Sequence, residues 1–351
     1  MVGGSGAADQ AEDVRIAVCR PQVPYTYGGA ELVSDQLADE LRARGHEVDR
    51  IVVPFSWVGR RVLDNALVWR LLDVNQAPGR PTELVIATKF PSYGIRHPNK
   101  VVWLVHQFRQ AYDFDRSEFR QFSEEPVDRA TRLAVERFDA VALAEARRIF
   151  TISANVAERL KRYSGFDATV LPPPPQKLDY RTVGYDGFVL SVNRLDRYKR
   201  IDLLIDAAKR EPALRIVIVG DGPDRGRLER RASGLDGRVE FTGRVDGDAL
   251  ADLYARCLAV YYAPVDEDYG MVPYEAFLSA KPVVTTVDAG GPLEVVHDGE
   301  TGVVVAPEPA ALAKACSYLA AHLDETRRLG EAGKAVAERI TWDACIDALL
   351  S

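Results

Sequence analysis

Short apolar runs alternate along this chain with stretches whose apolar residues recur at helical spacing, and the alternation starts twice. The first series has strand-like runs at Val14–Cys19, Val48–Val53, Leu84–Thr88, Val101–Val105 and Ile149–Ile152. Between the first two, Leu32, Val33, Leu37 and Leu41 predict a helix over Glu31–Arg44, stopped by Gly45, whose backbone freedom suits a helix C-terminus. The proline run Pro172–Pro175 interrupts the pattern. It restarts at Phe188–Val192 and continues through strands at Arg215–Val219, Val239–Phe241, Leu258–Tyr262 and Pro282–Thr285, with helices starting near Ile201, Asp224, Asp246 and Val272. Strands alternating with helices build parallel, doubly wound sheets. The expected fold class is therefore α/β, with two tandem Rossmann-like domains facing each other across a cleft. The expected divisions are a flexible tail over 1–12, a first domain over 13–175, a second over 176–340 and a terminal helix over 341–351, in which Trp342, Cys345, Ile346 and Leu349 form one stripe.

Composition narrows the setting. With 351 residues, 47% hydrophobic and 28% charged, the chain can bury two globular cores. No apolar run approaches the roughly 20 residues that span a bilayer. The first twelve residues lack the basic and apolar regions of a secretion signal. Cys19, Cys257, Cys316 and Cys345 are widely spaced within apolar segments, which argues against disulfides and zinc knuckles, so a cytoplasmic location is expected. The histidines form no ligand pair, and no protein-bound metal is expected; His46, just past Gly45, reads as a surface residue. A net charge of −7 disfavours a broad nucleic-acid surface. The stretch Trp57–Leu72, with Arg60, Arg61, Trp69 and Arg70, fits an ordinary surface helix or a peripheral contact with an anionic membrane at its inner face.

In open α/β sheets ligands bind beyond the carboxyl ends of the strands, so the residues that follow each strand carry the candidate chemistry. Gly28 and Gly29 open the first helix, either as a plain turn or as a backbone cradle for an anion. Arg194 and Lys199 stand at the head of a helix, where positive charge is unfavourable. They are either a solvated basic loop or a clamp for a diphosphate. Gly220-Asp221-Gly222-Pro223 is not a dinucleotide fingerprint, because Arg225 stands where a third glycine belongs and the turn follows the domain's second strand. Glu267 and Glu275 are separated by seven residues across a strand-to-helix turn containing Gly270, Met271, Val272 and Pro273. Carboxylates there suit sugar or ribose hydroxyls, and the backbone amides suit a ligand; alternatively Glu275 only favours a helix N-terminus and Glu267 is a solvated acid. His106, at the end of Val101–Val105, is either structural or placed to hydrogen-bond a sugar hydroxyl.

In this order, Arg194-Leu-x-x-x-Lys199, Gly220–Pro223, Thr242-Gly243 and Glu267-x7-Glu275 resemble the retaining glycosyltransferase family 4, whose members have the GT-B fold. The resemblance runs from about Val14 to the end of the chain. It implies a hexosyltransferase that takes a UDP- or GDP-sugar donor and a hydroxyl acceptor (a glycan, glycolipid or small molecule, as in polysaccharide assembly), retains anomeric configuration and needs no metal or cofactor. It implies catalytic roles for His106, Arg194, Lys199 and Glu267. Donor contacts are implied for Gly28, Gly29, Gly220, Arg244, Val245, Gly270, Met271, Val272 and Glu275, with Glu275 on the ribose and Arg244 and Val245 near the base. It further implies that the terminal helix crosses back to the first domain. One departure is Asp268, which replaces the usual glycine after the first carboxylate and adds a negative charge. The rivals are a nucleotide-sugar epimerase on the same architecture, an NAD-dependent oxidoreductase, which lacks the glycine fingerprint, and a non-catalytic sugar-binding protein.

Overall fold

The computed structural model describes residues 13–75, 79–117, 119–235 and 237–351; the tail read over 1–12 lies outside them. The chain divides into two compact units. One comprises the described residues up to Phe150 with Tyr163–Ala168 and Leu349–Ser351; the other comprises Thr151–Arg162 and Thr169–Ala348.

The elements of the first series are β1 (Arg15–Gln22), α1 (Gly29–Ala43), β2 (Glu47–Pro54), α2 (Arg61–Leu71), β3 (Leu84–Ala87), β4 (Lys100–Leu104), α3 (Pro126–Ala144), β5 (Arg148–Thr151), α4 (Ala154–Ser164) and β6 (Thr169–Val170). Their sheet has the order β2-β1-β3-β4-β5-β6, with β1 parallel to both β2 and β3, and β3 parallel to β4. Strands β3 and β4 are buried throughout, which is why they read as unbroken apolar runs. Leu37 and Leu41 of α1 are fully buried, and Gly45 at φ +93° ends the helix in the left-handed region.

The second series comprises β7 (Phe188–Val192), α5 (Ile201–Arg210), β8 (Arg215–Val219), α6 (Arg225–Arg231), β9 (Val239–Gly243), α7 (Gly247–Arg256), β10 (Ala259–Tyr261), α8 (Met271–Leu278), β11 (Val283–Thr286), β12 (Gly302–Val305), α9 (Pro309–Ala321), α10 (Leu323–Ala337) and α11 (Trp342–Leu350). Its sheet runs β12-β11-β10-β7-β8-β9, with every neighbouring pair parallel. This is the doubly wound order of a Rossmann sheet, and the direction of winding reverses between β7 and β10. Val189, Ile216, Ile218 and Val284 from the strands meet Leu204, Ile205, Leu312 and Leu319 from the helices in one core. The stripe expected on the terminal helix is present, since Trp342, Cys345, Ile346 and Leu349 are all buried.

Two surface expectations are corrected. His46 is buried, and its Nδ1 accepts the Val14 amide at 3.3 Å. Within Trp57–Leu72, Trp69 is fully buried and Arg70 donates to both oxygens of Glu145 at 2.6 and 2.8 Å, so neither faces outward as a surface anchor. Helical spacing turns Val62, Ala66 and Trp69 inward together and leaves Leu67, Val68 and Leu71 exposed. Among the described residues, no helix is long and apolar enough to cross a membrane.

Candidate functional site

Where a doubly wound sheet reverses its winding, the two adjoining loops diverge and leave a crevice. In the second sheet these are the loops after β7 and β10, and they bring Lys199 and Glu267 together. Lys199 forms an ion pair with Glu267, and its Nζ lies 3.1 Å from the Tyr262 hydroxyl. Only 11% of the Lys199 side chain is exposed. Burial is the strongest single effect and works against the ammonium charge, but Glu267, Tyr198 and Asp268 together outweigh it and raise the lysine pKa above its ordinary value. The unfavourable charge at the helix head is thus met by a carboxylate in this structure.

The structure sorts the neighbouring cations by task. Arg194 is 42% exposed and its Nε lies 3.0 Å from Asp196. Arg200 stands in the left-handed region at φ +51°, a conformation that costs a non-glycine residue about 1 kcal/mol or more. Its guanidinium offsets that cost by donating to the carbonyls of Ala263 and Pro264 (2.8 and 2.6 Å), to Thr286 (2.8 Å) and to both oxygens of Asp288 (2.8 Å each). Arg200 therefore fastens the clamp loop to the ends of β10 and β11, while Lys199 beside it is left to Glu267.

Gly220 and Gly222 are explained by close approach. A Cβ at Gly220, which has φ +121°, would stand 1.9 Å from the Asn193 carbonyl oxygen, and one at Gly222 would stand 2.5 Å from that of Leu195. The glycine turn lies flat behind the Arg194 loop, joined by Leu195 N–H to Asp221 O (3.1 Å) and Asp224 N–H to Leu195 O (3.0 Å). The Gly220 amide in turn donates to the Gly243 carbonyl at 2.8 Å, which places Arg244, exposed, and Val245, half-buried, at the end of β9.

Glu267 is held by its backbone, its amide donating to Ala289 O and its carbonyl accepting from Gly291 N, each at 2.8 Å. Gly290 permits this, since a Cβ there would meet the Glu267 carbonyl at 2.7 Å. Gly270, at φ +80°, precedes α8 and packs so closely on Tyr262 that a Cβ would lie 2.6 Å from the ring. Behind it the amides of Met271 and Val272 occupy the first helical turn, where the helix supplies no carbonyl to them. Glu275 is buried rather than presented at the surface. Its carboxylate accepts the Tyr254 hydroxyl at 2.6 Å, and burial pushes its pKa up to about 7 despite that bond.

In the first sheet the corresponding loops follow β1 and β3. Gly28 caps α1, with its amide donating to Glu31 at 3.0 Å, and the buried Glu31 pairs with Lys89 from the β3 loop. The glycine turn thus has a carboxylate cap of its own. His106 is half-buried; its Nδ1 bonds the Gln107 carbonyl at 2.7 Å, and since a carbonyl only accepts, that nitrogen carries the proton. The Gln107 side chain is anchored on Asp139 at 3.0 Å.

Sequence reasoning passed over Tyr262, Lys89, Tyr254 and Arg159. Tyr262 closes the run Leu258–Tyr262 and Lys89 directly follows Leu84–Thr88, so the strand-end rule was a usable signal for both. Tyr254 and Arg159 lie within helices, where nothing local marks them.

Residues 180–336 match the family model described as "Glycosyl transferases group 1". Similar curated proteins include a D-inositol 3-phosphate glycosyltransferase of Nocardia farcinica, 31% identical over 59% of this chain and 52% of its own length. A GDP-mannose-dependent alpha-mannosyltransferase of Mycolicibacterium smegmatis is 32% identical over 63% of this chain and 58% of its own. The chain spans about half the length of the curated relatives it matches. Among solved structures, sucrose-phosphate synthase from Thermosynechococcus elongatus superposes with a TM-score of 0.75 at 20% identity, covering 95% of this chain and 97% of that one. Anabaena HepE in complex with UDP-glucose gives 0.69 at 20% identity, covering 95% and 98%. Two six-stranded doubly wound sheets, the ordered motifs and these matches agree: the fold is GT-B, and residues 180–336 form a domain of the glycosyl transferases group 1 family, of the family 4 type.

Proposed function

We propose that this chain is a retaining, metal-independent glycosyltransferase that moves a hexose-type sugar from a UDP- or GDP-sugar to an acceptor hydroxyl, as in the assembly of a glycan or glycolipid. The observation that carries this reading is the Lys199–Glu267 pair at the winding reversal of the second sheet, flanked by Arg194 and the start of α8. A diphosphate entering there takes Lys199 and Arg194 as its cations, and Glu267 is released to accept sugar hydroxyls. Glu275 holds the ribose hydroxyls, Arg244 and Val245 flank the base, and the amides of Met271 and Val272 serve the phosphate or sugar. Within the first unit, Gly28 and Gly29 are read as a turn for a donor phosphate, and His106 as a hydrogen-bonding group for a sugar hydroxyl. In the transfer the bond from the anomeric carbon to phosphate oxygen breaks, the acceptor oxygen bonds to the same face, and its proton passes to the leaving phosphate. The two cations stabilise the developing charge in place of a divalent ion.

The similar proteins described above motivate the probes, UDP-glucose and GDP-mannose. Free nucleoside diphosphate is expected only with an acceptor present, and EDTA is expected to leave the rate unchanged. Sugar interconversion without acceptor identifies an epimerase instead, and activity lost to EDTA and restored by magnesium removes the metal-independent part.

Peripheral membrane contact belongs to the same proposal, with its residues revised to exposed Val58, Leu67 and Leu71 beside Arg60 and Arg61. Flotation with anionic liposomes at low salt is expected to carry the protein upward. Protein left at the bottom of the gradient rules the contact out.

A further inference from the structure

Three acidic residues in a row, Asp266, Glu267 and Asp268, would repel one another across the mouth of a sugar site. The structure divides them. Arg159 of α4, only 7% exposed, reaches Asp266 at 3.2 Å and also pairs with Asp268, so its fork spans the residues on either side of Glu267. Asn155, one turn earlier, donates to Asp266 at 2.9 Å and to the Glu267 carbonyl at 2.8 Å, and Ser153 donates to the Asp268 carbonyl. This end of α4 is itself fixed, since the amides of Ala154 and Asn155 donate to the two oxygens of Glu294 at 2.9 and 2.8 Å. Asp266 meanwhile stands at φ +43°, in the left-handed region that a non-glycine residue keeps only when its surroundings hold it. All of these residues lie in the second unit.

We infer that Arg159 is a positioning residue for the sugar end of the donor: its single positive charge bridges and partly offsets the two aspartates and fixes the loop, so that Glu267 alone presents its carboxylate toward Lys199 and the sugar hydroxyls. The extra charge of Asp268 is thereby accommodated within the loop. The inference rests on the proposed donor site. The Arg159 pairs described above are with Asp266 and Asp268, so its loss is expected to affect sugar recognition more than nucleotide recognition.

The test compares wild type with Arg159→Gln, Arg159→Lys and the triple variant Arg159→Gln/Asp266→Asn/Asp268→Asn, which removes the guanidinium together with both flanking carboxylates. Transfer from UDP-glucose and GDP-mannose is measured beside calorimetric binding of free UDP and GDP. Arg159→Gln is expected to lower kcat/KM for the preferred sugar nucleotide by about a hundredfold, the scale of a misplaced contact group. The Kd of the matching free nucleotide should change less than about twofold. The triple variant should regain a large part of kcat/KM because the repulsion is gone, and Arg159→Lys should fall between, since it keeps the charge without the fork. Parallel loss of sugar-nucleotide turnover and free-nucleotide binding, unchanged kcat/KM in Arg159→Gln, or no recovery in a folded triple variant overturns the inference while leaving the transferase reading intact. A wild-type chain that neither binds nor turns over either donor overturns the transferase reading, and this inference with it.

Discussion

Replacing Lys199 with alanine is expected to slow sugar transfer by about a hundredfold or more, while the fold persists. The ammonium is nearly enclosed, and its partners Glu267 and Tyr262 hold it at the crevice of the second sheet. In such a site a fixed donor aimed at developing charge stabilises the transition state by about 3 kcal/mol. In the proposed transfer the leaving diphosphate develops that charge, and with Lys199 gone the half-exposed Arg194 is the remaining cation of the pair. Arg194→Ala should therefore cost less, about tenfold, because a half-exposed guanidinium works through water-screened contacts. Loss of the lysine also leaves Glu267 without its cation, so a modest fall in Tm accompanies the kinetic effect. Steady-state kinetics with UDP-glucose or GDP-mannose and thermal unfolding on the same preparations check this. A Lys199→Ala variant that turns over at near wild-type rate removes the lysine from the clamp.

The second large effect is expected at Glu275, where function and stability should move in opposite directions. Its carboxyl is buried, with a pKa near 7 in place of 4.5. A carboxyl whose folded pKa is raised binds its proton more tightly in the folded than in the unfolded chain, so stability falls as pH rises through that window. Integrated from pH 4.5 to 7, the burial of this group costs about 3 kcal/mol once it is ionised. Glu275→Gln keeps an acceptor for the Tyr254 hydroxyl but cannot ionise. The stability of the variant relative to wild type should therefore grow by about 3 kcal/mol between pH 4.5 and 8. A gap that stays flat across this range means that the carboxyl ionises in its ordinary range.

The same carboxylate explains how the proposed ribose contact depends on pH. Ribose hydroxyls donate to the ionised form, so nucleotide binding must draw a proton from Glu275. Affinity for UDP or GDP should accordingly strengthen from pH 6 to 8 in the wild type, and Glu275→Gln should bind weakly with no such trend. Calorimetry at the two pH values reads both. Equal affinity of wild type and variant would take Glu275 out of the donor site.

Much of this architecture was legible before any coordinates. Strands β7 and β8 fall where their apolar runs begin and end, and the restart after Pro172–Pro175 separates the two series. Strand β12, Gly302–Val305, went unread because four residues after a polar turn show neither period clearly, and β6 is shorter still. The order of Arg194, Lys199 and Glu267 along the chain was likewise readable, because each lies in a loop after a strand end, where doubly wound sheets bind ligands, while Glu275, inside α8, was marked only by its spacing from Glu267.

What the sequence by itself determined, then, was what local pattern encodes: the alternation of strands and helices, the two series, and the glycines that turns require. Only the tertiary structure decided which charges meet. The cluster Arg194, Arg197, Lys199 and Arg200 is uniform as text, yet the sheet order gives Arg200 to Asp288 and Lys199 to Glu267. Arg159 finds Asp266 and Asp268 from more than a hundred positions away, and Glu275 is a buried acid rather than a surface one because α7 lays Tyr254 over it. Periodicity is a property of neighbours along the chain, whereas the partner and the depth of a charged group are set by which strands lie side by side.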